Sequence, residues 1–209
     1  MTTLRRWLLA LAMVAPAAGQ ASAQSLLTNR SIHAELKVTD EQARKLDALD
    51  QELQAESRER ARKLRDLPVE ERRKKAQEGS RQRGDELRRK MAEILGPEQV
   101  KRFNQIATQN AGFAAFTILP EVRERLKFTE DQAAKIQEIG DDLSRVGGPP
   151  SALRKKFLDD PQGMRKKSDE ATKAAVAKVI ALMTDEQKKA WADLTGPPFQ
   201  VKREPIPAP

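Results

Sequence analysis

The stretch Val38-Thr39-Asp40-Glu41-Gln42 sets a threonine three residues ahead of a glutamine, behind a single apolar residue, and the arrangement returns 90 residues on as Phe128-Thr129-Glu130-Asp131-Gln132. At this spacing the threonine hydroxyl accepts from the amide three residues ahead, while the glutamine reaches back to the threonine amide. Together they satisfy donors that the first turn of a helix leaves unpaired. The two acids between them face the positive end of the helix dipole. Val38 and Phe128 stand where an apolar residue folds back and fixes the angle of entry into the helix.

Two further starts follow the same plan, Leu95-Gly96-Pro97-Glu98-Gln99 and Met183-Thr184-Asp185-Glu186-Gln187. Gly96 lacks the capping hydroxyl, but Pro97 brings a preset φ to the first helical position. Thr39, Gln42, Gly96, Gln99, Thr129, Gln132, Thr184 and Gln187 are therefore expected to initiate helices and to build the fold rather than a reactive centre.

Apolar residues recur at helical spacing beyond these starts, as Ala43, Leu46, Leu49 and Leu53 and again as Ala133, Ile136, Ile139 and Leu143. A shift of 90 residues also places Ile32, Leu36, Lys37 and Lys45 on Val122, Leu126, Lys127 and Lys135, and a shift of 88 places Leu95, Gln99 and Phe103 on Met183, Gln187 and Trp191. Such a register indicates an internal duplication. Short helical segments are expected near Asn29 to Leu36 and Pro120 to Leu126. A long helix is expected between the two starts of each copy. In the first copy its beginning, Pro68 to Glu86, is nearly devoid of apolar residues and carries Gly79 and Gly84, so it reads either as a solvated helix or as a partly mobile stretch. Gly147-Gly148-Pro149-Pro150 reads as a turn. The expected class is all-α, with two tandem units of amphipathic helices, long helical hairpins in a thin layer.

Residues 1–23 have the form of a secretory signal: Arg5 and Arg6, an apolar run from Trp7 to Val14, and Ala21-Ser22-Ala23 before the cut. The expected divisions are 1–23 for the signal, 24–110 and 111–199 for the two units, and 200–209 for a proline-rich tail. An extracytoplasmic, periplasmic destination follows from the signal. The 209-residue chain has no cysteine, so packing alone must stabilise it where disulfides would be permitted. Charged residues make up 33% and aromatics 4%, a composition suited to thin helical layers.

Loss of Arg5 and Arg6 takes the net charge from +8 to +6, and between Arg58 and Lys90 fourteen Lys or Arg stand against seven Asp or Glu. Arg58, Arg62, Arg65, Arg72, Arg73, Lys74 and Lys75 form a candidate basic surface for acidic clients; the plainer alternative is a solvated helix face with interspersed acids. Export argues against nucleic acid as the partner. With no cysteine, no tyrosine and one histidine, thiol nucleophiles and two-histidine metal sites are excluded, and neither catalysis nor a cofactor is expected. His33 aligns with Arg123 and reads as an exposed side chain. Phe103 and Trp191 occupy equivalent positions and read as core, while Phe113, Phe116 and Phe157 are candidates for shallow apolar patches.

The paired apolar-Thr-x-x-Gln starts, in an exported and charge-rich helical chain, resemble the LTxxQ-motif family of periplasmic proteins, the Spy/CpxP type. The resemblance spans nearly the whole chain after the signal, with Val38, Phe128 and Met183 in place of the motif leucine and Gly96 in place of one threonine. It implies ATP-independent binding of unfolded or misassembled envelope proteins as part of an envelope stress response. It also implies pairing, as a homodimer or, given the duplication, as a pseudo-dimer within one molecule. The alternative is a structural or signalling partner that docks one envelope protein or an anionic envelope surface.

Overall fold

The start signals and apolar stripes are realised as helices throughout the computed structural model, which describes residues 26–145 and 159–202; for residues 73, 76–82 and 161 only the backbone is described. The class is all-α, with no strand among the described residues. No described helix is long and apolar enough to cross a membrane. The chain divides into two units, one containing residues 26–110 and 195–202 and the other residues 111–194.

In the first unit α1 (Arg30–Leu36) begins at Asn29, whose side-chain oxygen accepts from the amides of Ser31 and Ile32 at 3.0 and 3.3 Å. It ends at Lys37 in the left-handed region, φ 53°, and this reversal delivers Val38 and Thr39 to the start of α2 (Asp40–Arg65). A short turn leads to α3 (Val69–Ile94), which packs along α2, and α4 (Pro97–Ala111) follows. The inner part of the α2–α3 hairpin is anchored: Leu46, Leu49 and Leu53 of α2, Met91 of α3 and the following Leu95 share a core with Leu26, Leu27, Ile32, Leu36, Phe103 and Ile106. Each such side chain contributes about 1.5–3 kcal/mol on removal from water.

The outer part of the hairpin is different. Past Leu53 no described side chain is buried until Met91. The facing seam is instead lined by the half-buried Glu56, Arg60, Leu64 and Leu67. Backbone helix continues unbroken through Gly79 and Gly84, which settles the Pro68 to Glu86 stretch as helix from Val69. Ion pairs one turn apart, Lys75–Glu71 at 3.3 Å and Lys90–Glu86 at 3.1 Å, support this stretch of helix, which has few apolar residues.

The last described residues complete this first unit. Gly196, with φ +61°, turns the chain so that the Gln109 amide donates to the carbonyls of Thr195 and Pro197 and the Phe199 amide donates to the Gln109 oxygen at 2.8 Å. Lys202 pairs by its carbonyl with the Asn29 side chain at 2.9 Å and by its amide with Ser31 Oγ at 3.1 Å. Phe199 and Val201 pack on the first core. Residues 195–202 thus form a strap on the first unit, where the sequence had suggested the end of the second unit and the start of a free tail.

The described part of the second unit likewise runs from short helices into longer ones. Residues Ala114–Ile118 form α5, Pro120–Leu126 form α6, and Lys127, again left-handed at φ 44°, leads into α7 (Glu130–Arg145). The long helix α8 (Pro161–Ala181) packs on α7 and precedes α9 (Asp185–Thr195). Phe113 and Phe116, expected as surface patches, are instead buried at 5% and 2% exposure. They meet edge to face with centroids 6.2 Å apart, and Phe116 lies 4.5 Å from the Trp191 ring. Short α5 turns both rings inward, where apolar patterning at helical spacing gave no cue. His33 is half buried rather than exposed, with its ring nitrogen against the Leu27 carbonyl. The Gly147 to Pro150 turn and Phe157 lie outside the described residues.

Candidate functional site

Each helix start is capped by its own side chains. Thr39 Oγ1 accepts from the Gln42 amide at 3.2 Å while Gln42 Oε1 accepts from the Thr39 amide at 3.1 Å. Thr129 with Gln132 and Thr184 with Gln187 make the same two bonds, at 3.2 and 3.0 Å and at 3.2 and 2.9 Å. At Gly96 only the glutamine half exists, its amide donating to Gln99 Oε1 at 2.9 Å.

The capping glutamines also meet one another. Gln42 Nε2 donates to Gln99 Oε1 at 2.9 Å and Gln99 Nε2 donates back to Gln42 Oε1 at 3.2 Å, a closed amide pair. Their remaining hydrogens go to backbone carbonyls at the ends of helices: Gln42 to Ile94 at 3.0 Å, Gln99 to Leu36 at 3.0 Å. The second unit reproduces this. Gln132 and Gln187 exchange bonds of 2.8 and 3.0 Å and reach the Leu182 and Leu126 carbonyls at 2.7 and 2.8 Å. Each side-chain amide thereby uses both hydrogens and both lone pairs. A glutamate would cap equally well but has no hydrogen to donate when ionised, so the pairing explains why the residue is glutamine at all four starts. These polar atoms are committed to one another and to backbone. The chemistry they perform is structural, joining two helix starts to two helix ends.

The basic residues lie elsewhere, along the outer hairpin. Arg58, Arg62, Arg65, Arg72, Lys74 and Lys75 are exposed, and the Arg73 side chain lies outside the described residues. Two cations of this region are neutralised locally, Arg60 by Glu56 at 3.4 Å and Lys63 by Glu59 at 2.6 Å. The hydrogen bond and charge of Lys63 hold the Glu59 carboxyl below its ordinary pKa, so it stays ionised. Lys75 pairs with Glu71, and the Arg72 guanidinium donates to the Leu67 carbonyl at 3.3 Å. Arg58, Arg62 and Arg65 make no ion pair or hydrogen bond with a described group. Their spacing of four and three residues puts them on one face of α2. Beside the turn stands Val69, 69% exposed. The outer hairpin therefore offers a row of three guanidinium groups on α2 and, past the turn, an uncovered apolar side chain at the start of α3.

No family model, curated protein or solved structure matches this chain.

The residues and their geometry carry the functional reading. Two places stand out, the buried-edge glutamine pairs and the exposed arginine row, and they differ in kind. The pairs leave no polar atom for a ligand, whereas the row leaves three forked donors facing water. Sequence spacing located the caps and the basic run. It did not reveal the pairing of glutamines 57 and 55 residues apart. Its available signal was the use of glutamine and never glutamate at four starts.

Proposed function

We propose that this chain is an exported, Spy/CpxP-like binding protein of the periplasm that holds unfolded or misassembled envelope proteins without ATP or another cofactor, and that it is not an enzyme. The observation that carries this reading is the outer α2–α3 hairpin, in which no described side chain between Leu53 and Met91 is buried, with Arg58, Arg62 and Arg65 exposed on α2 and Val69 exposed at the start of α3. Long-range attraction by the arginines speeds encounter with acidic segments, and weak apolar contact at the tip tolerates many sequences. The Gln42–Gln99 pair ties the start of α2 to the end of α3 at the base from which the hairpin extends. The test is suppression of aggregation of several unrelated unfolded proteins at near-stoichiometric ratio, at low and high salt. Protection that weakens with salt and is lost in a chain carrying R58Q, R62Q and R65Q together supports the reading; protection of no client refutes it.

The single-faced arrangement of Arg58, Arg62 and Arg65 favours a second reading, docking to one acidic envelope protein or to an anionic envelope surface. Guanidinium groups at this spacing match a row of carboxylates or phosphates. Protection confined to one client, with salt-sensitive binding to anionic vesicles or to that client, selects it over general chaperone activity.

A further inference from the structure

The strap of residues 195–202 is held to the first unit by contacts that read little of its sequence. Side chains meet five of its backbone groups: Gln109 takes the Thr195 and Pro197 carbonyls and the Phe199 amide, Asn29 the Lys202 carbonyl, and Ser31 Oγ the Lys202 amide. Arg102 also donates to the Pro197 carbonyl, at 3.0 Å, and is fixed from its other side by Glu35 at 2.7 Å. Phe199 and Val201 turn onto the core, while Pro197, Pro198 and Gln200 are exposed. The Arg102 guanidinium lies 5.9 Å from the centre of the Phe199 ring. Inward side chains at every second residue belong to an extended segment. The face is thereby built to take a backbone and two apolar side chains at alternate positions.

The polar hooks are particular to this unit. Shifts of 90 and 88 residues carry Asn29 and Arg102 onto Leu119 and Ala190, both apolar and both packed on the second core. The shared architecture therefore accounts for the core beneath the strap and not for the hooks. Asn29 caps α1 through its oxygen alone. Its amide nitrogen serves the strap, and the residue is only 8% exposed. A buried donor needs an acceptor, and any extended backbone supplies one.

We propose that this face, from the start of α1 along α4, is a binding site for extended segments of unfolded protein that carry an aromatic and an aliphatic side chain one residue apart. Residues 197–202 are its resident occupant. A tethered segment holds its place by local concentration, so an outside segment gains entry by competing with it. The proposal shares its class of partner with the reading above but uses no residue of the arginine row. Loss of protection in the arginine-substituted chain and loss of peptide binding at this face are therefore separate results.

The test compares the full chain with the same chain carrying Phe199→Ser and Val201→Ser, which unseats the strap. The probe is a fluorescent peptide of residues 195–202, blocked at both ends and read by anisotropy; a peptide with the same two substitutions is the control. The substituted chain is expected to bind the first peptide about tenfold more tightly than the parent, the gain if the strap is seated about nine-tenths of the time. Neither chain is expected to hold the control peptide. Adding Gln109→Glu should cancel most of the gain, since a carboxylate has no hydrogen for the carbonyls. Equal binding by the two chains overturns the proposal. So does a parent that sediments as a dimer and becomes a monomer with the double substitution, which assigns the face to strap exchange between copies. Because the double substitution also removes core contacts, the parent is read a second way: excess unlabelled peptide should speed hydrogen exchange at the chain's own Phe199 and Lys202 amides while α4 stays protected. Exchange that the peptide leaves unchanged overturns the proposal whether or not the substituted chain folds.

Discussion

The substitution Gln187→Glu separates capping from pairing. Glutamate keeps the capping bond from the Thr184 amide, 2.9 Å in the native chain, and is as good a capping residue as glutamine. If Gln187 served only as a cap, the change would be nearly neutral. In the structure it also removes two donated bonds, to the Leu126 carbonyl at 2.8 Å and to Gln132 Oε1 at 3.0 Å. At about 1 kcal/mol net per bond the loss is about 2 kcal/mol. The surviving bond from Gln132 Nε2, now to a carboxylate, returns a fraction of this, since charge-assisted bonds are the stronger kind. The expected cost is therefore roughly 1–2 kcal/mol. Glutamate at both 132 and 187 would set two carboxylates against each other and cost more than the sum of the single changes. A chain lacking residues 1–23 has Trp191 as its single tryptophan, packed on Phe116 in the same unit, so urea denaturation followed by its fluorescence reads that unit directly. Acid should narrow the difference from the parent, because a protonated glutamic acid regains one donor. A Gln187→Glu protein within 0.3 kcal/mol of the parent at neutral pH would refute the pairing argument.

Gly84 lies in α3 with nothing within 4 Å of where a Cβ would stand, so Gly84→Ala should stabilise the helix by about 0.8–1 kcal/mol, read as a higher denaturation midpoint. Lys37 and Lys127 adopt φ of 53° and 44°; glycine at either site relieves a left-handed strain of roughly 1–2 kcal/mol against an unfolded-chain entropy cost of roughly 0.4–1 kcal/mol, and should raise stability in calorimetry by about 0.5 kcal/mol. Gly196→Ala should destabilise the first unit, because φ is +61° and the added carbon would overlap the Gln105 side chain; faster hydrogen exchange in α1 and α4 is the expected sign. Lys90 carries a raised pKa, chiefly from hydrogen bonds to Glu52 and then Glu86. Its contribution to stability is complete below the unfolded lysine value and is lost as pH rises through the higher folded value, so Lys90→Met should flatten the alkaline end of the stability profile.

Much of this architecture is legible from short-range rules. Thr39 and Gln42 are three residues apart, and the stripe from Leu46 to Leu53 follows helical spacing, so local geometry suffices to place them. What escaped the sequence depends on partners far along the chain. Gln42 and Gln99 meet only because α2 and α3 fold back on each other. Phe116 is inward because Phe128 and Trp191 close around it, with ring centroids 6.2 and 4.5 Å away, and Phe113 packs edge to face on Phe116. Helix from Pro68 onward could not be chosen on propensity, since Gly79 and Gly84 oppose it while ion pairs and the neighbouring α2 favour it. The basic run was visible as charge, but which cations are left facing water depends on Glu56, Glu59 and Glu71 taking their neighbours.

The strap of residues 195–202 has a consequence for the order of assembly. Residues 111–194 form one unit from a single stretch of chain, whereas the first unit lacks Phe199, Val201 and the Lys202 backbone until residues 195–202 arrive. A chain delivered from its N-terminus would ordinarily complete its leading part first. Here the leading part takes its closing piece from beyond the second unit, so its completion waits on about 85 intervening residues that must first be delivered.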